Sequence, residues 1–101
     1  MDRRLEFHRV LINVSGINSV YYQPPEDRRL SYPAIVYNRT NIVNRHSDNH
    51  VYNQDFAYSV TVIDPDPDSK IVFAISKLDK CQFNRHYVAD GLNHDVFTIF
   101  Y

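Results

Sequence analysis

The sequence predicts an α+β domain: a mainly antiparallel β-sheet with two helices packed on one face, in the order α-β-β-β-α-β-β. Three observations carry this reading. Two stretches place apolar residues at helical spacing, five runs are rich in β-branched and aromatic residues, and the two kinds lack the regular strand-helix alternation of a parallel sheet. With 101 residues, 44% hydrophobic, the chain has the size and composition of one domain spanning residues 1–101.

Phe7, Val10, Leu11 and Val14 follow i, i+3, i+4, i+7 spacing, which predicts an amphipathic helix from about Leu5 to Ser15. Gly16 follows the last periodic residue, where a left-handed cap costs least without a side chain. Val20-Tyr21-Tyr22-Gln23 reads as an edge strand ended by Pro24-Pro25, since proline cannot donate to a ladder, and a loop then runs through Arg29. Pro33 opens Ala34-Ile35-Val36-Tyr37, a strand continuing toward Val43. Asn44 to Asn53 is polar and turn-prone, and reads as a loop or a flexible hairpin tip. From Gln54 to Asp64, Phe56, Tyr58, Val60 and Val62 alternate with Ala57, Ser59, Thr61 and Ile63, so this strand should pair with the preceding one as a long hairpin.

Asp64-Pro65-Asp66-Pro67-Asp68-Ser69 resembles a helix start, with acids capping the positive end and proline in the first turn. The second helix is expected from about Pro67 to Leu78, burying Ile71, Ala74, Ile75 and Leu78. Cys81 to Ala89 and Leu92 to Tyr101 then form a hairpin around Asp90-Gly91, a dipeptide suited to a turn that requires positive φ.

Composition excludes several functional classes. The chain is too short for a doubly wound nucleotide-binding domain and too apolar and aromatic for a disordered tail. No apolar run approaches the roughly 18 residues that a membrane helix needs, and Met1-Asp2-Arg3-Arg4 leads into an amphipathic stretch, so the chain reads as soluble and unprocessed. A single cysteine, Cys81, permits neither an intrachain disulfide nor a multi-thiolate metal site and reads as a small buried hydrophobe. Net charge is −1, which argues against a binder that relies on a strong basic field. The charge is uneven, however: residues 1–45 hold seven arginines against four acids, and residues 46–101 hold four basic residues against eight acids. Opposite signs on the two halves permit head-to-tail association between copies.

Candidate chemistry is sparse. His46, Asp48 and His50 have the residue types of a transition-metal site, but a polar loop gives no reason to hold ligands rigidly. His86, His94 and Asp95 sit on the two arms of the last hairpin, where they would form an acid-base or nuclease centre if they converged with a nucleophile or metal. Asp64, Asp66 and Asp68 resemble the start of a calcium loop, yet the downstream glycine and glutamate are missing and helix capping accounts for them better. The tyrosines and arginines invite comparison with a sheet that stacks RNA bases, but the aromatic signature of that family is absent and the aromatics alternate as core residues do. Asn38-Arg39-Thr40 matches a glycosylation sequon without a secretion signal beside it. No catalytic residue, cofactor or metal is expected, and the chain reads as a part in an assembly whose Tyr and Arg side chains serve interfaces.

Tyr22-Gln23-Pro24-Pro25, Leu30-Ser31-Tyr32-Pro33-Ala34-Ile35-Val36-Tyr37 and Tyr58-Ser59-Val60-Thr61-Val62-Ile63-Asp64 resemble segments of the neck and tail-completion proteins of long-tailed bacteriophages, in particular the tail terminators. The shared pattern is a proline-containing segment, a Tyr-Pro-hydrophobic strand, a hairpin loop, and a strand ending in Asp before the second helix. Arg85-His86-Tyr87 and Asp90-Gly91-Leu92-Asn93-His94-Asp95-Val96-Phe97 are similar to phage proteins of comparable size. The resemblance implies a virion protein made in the bacterial cytoplasm, forming a ring of commonly six copies. Such a ring caps the tail-tube protein, meets the head-completion proteins and lets DNA pass through its lumen, with no membrane partner. It implies that Arg45, His46, Asp48 and His50 at the hairpin tip reach a neighbour or line the lumen, and that Pro24, Pro25, Tyr32 and Pro33 shape contacts between subunits. A neighbouring neck component, a head-tail adaptor, is the alternative; a small nuclease or toxin and an RNA-binding module are more distant ones.

Overall fold

The computed structural model describes residues 3–24, 29–47 and 50–101, and at 45–47 and 50–53 the backbone alone. The elements are α1 (Arg3–Ser15), β1 (Val20–Tyr22), β2 (Ala34–Ser47), β3 (His50–Asp64), α2 (Lys70–Ser76), β4 (Cys81–Ala89) and β5 (Leu92–Phe100). They form one five-stranded sheet in the order β1-β2-β3-β5-β4, antiparallel except where β1 runs parallel to β2. The fold is therefore α+β with the expected element order. No helix among the described residues is long and apolar enough to cross a membrane.

Both helices cover one face of the sheet. Phe7 and Leu11 of α1 and Ile71 and Ile75 of α2 are buried against Ile35, Tyr37, Tyr58, Val60, Val62, Phe97 and Ile99. These sheet residues share a face because successive side chains alternate and the register pairs Tyr37 with Val60 and Val60 with Phe97. The ring of Phe7 stacks on Tyr58 at 4.4 Å and meets Tyr37 edge-on at 5.6 Å. Complete burial of one such phenylalanine contributes about 2–3 kcal/mol. Gly16 ends α1 with φ of 73° and its N–H donates to the Ile12 carbonyl at 2.9 Å. Nothing lies near where a Cβ would stand, so the backbone angle, and not crowding, calls for glycine there. Asp90 and Gly91 both take positive φ and close the last hairpin between Ala89 and Leu92.

Two expectations need correction. Of the two readings of the polar stretch Asn44 to Asn53, the hairpin holds and the loop does not where the chain is described: β2 continues to Ser47 and β3 begins at His50, with Ser47 opposite His50. The ladder is made by backbone groups, which polar side chains leave intact, and the side chains add to it where the Gln54 amide donates to Asn44 Oδ1 at 2.8 Å. The second helix starts at Lys70, not near Pro67, with Ser69 at its N-cap and no side-chain cap bond. Asp64 and Asp66 instead accept the backbone N–H of Asp66 and Asp68, each at 2.9 Å. Such local turns compete with a helix for the same amides, and a residue preceding proline is driven out of helical geometry.

Candidate functional site

The outstanding feature is a two-stranded ribbon. β1 pairs with β2 only at residues 35–37, and the β5 ladder on β3 runs from Ala57 to Asp64. Beyond Asn41 and Phe56, β2 and β3 continue with each other alone, apart from the Phe56–Tyr101 backbone bonds at its base. Six further residues of each strand carry it about 20 Å past the sheet. The molecule accordingly measures 51 × 24 × 23 Å. Two register shifts interrupt the ribbon, between Arg39 and Asn41 and between Arg45 and His46.

The expected interface residues fall in separate places. Arg45, His46 and His50 lie on the ribbon by backbone register, while their side chains, Asp48 and Pro25 are outside the described residues. The metal site suggested by His46, Asp48 and His50 is outside them as well. Pro24 is half-buried just after β1, next to the ribbon base, since the Gln23 N–H donates to the Tyr37 carbonyl at 3.1 Å. Tyr32 and Pro33 are joined by a cis peptide at the start of β2. Twelve strand residues separate Pro33 from Arg45, about 40 Å, so the structure does not bring these two groups together.

An arginine-aromatic cluster at the ribbon base was not anticipated. The guanidinium of Arg3 lies 4.7 Å from the centre of the Phe56 ring and that of Arg39 lies 5.3 Å from it, while Arg4 stacks over Tyr22 at 4.7 Å. The Arg3 guanidinium also donates to the Gln54 carbonyl at 2.9 Å. Behind these groups, His8 Nδ1 and the Tyr37 hydroxyl are hydrogen-bonded at 2.7 Å. Burial, helped by the charge of Arg4, holds the His8 imidazole below its ordinary pKa, and burial pushes the Tyr37 and Tyr58 hydroxyls up. Among the described residues the buried Tyr58 hydroxyl has no partner. Among the described residues no carboxylate pairs with Arg3 or Arg39; the ion pair seen is Lys80 with Asp55 at 3.4 Å. The stacked guanidiniums of Arg3 and Arg39 can take an anion. Sequence reasoning had no signal for this, because Arg3 and Arg39 meet only through packing of α1 on the sheet.

The last hairpin disperses its titratable groups. Asp95 is opposite His86 and His94 is opposite Tyr87, so His94 and Asp95, adjacent in sequence, point to opposite faces. His86 is hydrogen-bonded to Asn93 Oδ1 at 3.2 Å, and His94 stacks on Tyr87 at 4.6 Å. Burial raises the Asp95 carboxyl pKa, against the opposing pull of both histidines. No three of His, Cys, Asp and Glu gather as metal ligands among the described residues. Burial likewise raises the Cys81 thiol, which borders an open cleft of about 590 Å³ lined also by Val43, Asp55, Lys80, Gln82 and Phe100. A thiol kept protonated is a weak nucleophile.

The fold and the ribbon define an α+β sheet protein with a projecting hairpin. No protein-family model matches the chain, and no curated protein matches it.

Proposed function

We propose that this protein is a structural component of a long-tailed phage, a tail terminator or a neighbouring neck protein, which forms a ring of six copies on the end of the tail tube. In this role the ring halts tube polymerisation, offers its other face to the head-completion proteins, and leaves a lumen through which DNA passes. The observation that carries the reading is the ribbon. An isolated two-stranded hairpin is marginal in water, and this one extends about 20 Å with its outer edges open, an arrangement that association with another subunit stabilises. The resemblance of the proline-containing and Tyr-Pro segments supplies the phage context. The placement of His94 and Asp95 on opposite faces of the last hairpin favours this reading over the nuclease alternative.

The test is reconstitution. The protein is added to polymerising phage tail-tube protein, and tube length and end density are followed by electron microscopy. Tubes of limited length with a ring at one end are expected; unaltered length and bare ends would refute the proposal.

A further inference from the structure

We propose that the Arg3–Phe56–Arg39 cluster is the receiving half of a contact between copies, and that it takes the Asp66–Asp68 turn of the next copy. The inference rests on the assembly reading and specifies the pairing surface within it. Phe56 holds a guanidinium at 4.7 Å and another at 5.3 Å from its ring centre. Two like charges on one ring gain from an anion that joins them, and stacking fixes their direction so that little freedom is lost when one arrives. Arg39 is exposed, and Arg3 keeps donors beyond the one used on the Gln54 carbonyl.

The matching anion lies just past the C-terminal end of the same strand, whose middle carries Phe56. Asp66 and Asp68 are exposed in the connection between β3 and α2, and neither serves α2 as a cap. Their backbone is fixed by Asp64 and Asp66 accepting successive amides, and by Pro65 and Pro67. The Asp68 carboxylate is thus presented outward from a stiff turn. Eight residues of β3 separate Phe56 from Asp64, about 26 Å, so the two halves cannot meet within one copy. Between copies they can. A contact joining the mid-strand cluster of one molecule to the turn after β3 of the next uses two different surfaces and is heterologous, the kind that generates a ring when its rotation closes.

Charge reversal gives a self-controlled experiment on the full chain, read by sedimentation velocity and native mass. Arg39→Glu faces its neighbour's Asp68 and Asp68→Arg faces its neighbour's Arg39, so each variant alone should weaken self-association about tenfold or more. Mixed one to one, every contact again joins opposite charges, and assembly should return with the two variants alternating. Assembly of both variants at wild-type strength overturns this inference and leaves the assembly reading standing. So does a mixture that fails to recover. Loss of duplex DNA binding in Arg39→Glu with unchanged self-association would assign the cluster to nucleic acid and overturn it too. Both readings fall together if the wild-type chain stays monomeric at high concentration, low salt and in the presence of tail-tube protein. Circular dichroism of each variant separates loss of contact from loss of fold.

Discussion

Phe7 touches both layers of the domain, and the polar atoms around it differ in how well they are served. Tyr37 finds His8, whereas the buried Tyr58 hydroxyl has no partner among the described residues. Removing an unserved hydroxyl removes a desolvation cost without losing a bond, so Tyr58→Phe should leave stability unchanged or raise it by about 1 kcal/mol. In a domain of this size that is about 4–8 °C in melting temperature, readable by calorimetry. Tyr37→Phe, which strips His8 of its partner, should lower it. His8 also gives a pH dependence with a defined sign. Its folded-state pKa lies below 6.5, so as pH falls through about 6.5 the unfolded chain takes up a proton that the fold resists, and stability declines. Asp95, raised above 3.8, acts in the opposite direction at lower pH. Urea midpoints should therefore drop between pH 7.5 and 5.5, and by less in His8→Gln.

At the level of elements, local chemistry made most of the fold legible before any coordinates. The spacing of Phe7, Leu11 and their neighbours marked α1, Gly16 its end, and Asp90-Gly91 the last turn, because each depends on residues close in sequence. The readings failed where longer-range or competing interactions decide. The parallel pairing of β1 depends on which strand lies within reach. The polar ribbon carries no apolar alternation to announce it, and the start of α2 was misread because Asp64 and Asp66 spend their oxygens on local turns. Replacing residues 45–53 with Asn-Gly would close the ribbon at the Asn44–Gln54 pair without touching the packed layers. This variant should melt within a few degrees of the wild type and lose self-association. Collapse of the fold in thermal melts would instead make the ribbon part of the core.

For the molecule as a whole, the ribbon sets the dimensions. The radius of gyration of 14.6 Å exceeds the roughly 13 Å of a compact chain of this length. Solution scattering should recover the larger value for a dilute monomer and a value near 13 Å after the same replacement. The uneven charge visible in the sequence acquires a spatial meaning only here. Arg3 and Arg39 gather on Phe56, midway along β3, with Arg4 on Tyr22 of β1, while Asp64 closes the strand and Asp66 and Asp68 lie beyond it. Sequence halves do not specify that polarity; the path of one central strand does.

The register shift at Thr40 has a consequence for how the protein can change. Before it, odd-numbered residues of β2 face the helices; beyond it, Ile42 pairs with Phe56 and the even-numbered residues take that side. Loss of that one amino acid would leave every distal pair in place, because residues opposite each other share a face, and would remove only the bulge whose bend and added twist aim the projecting arm. A lineage could thereby re-aim its grip on a neighbour through a three-nucleotide deletion, with no new chemistry required.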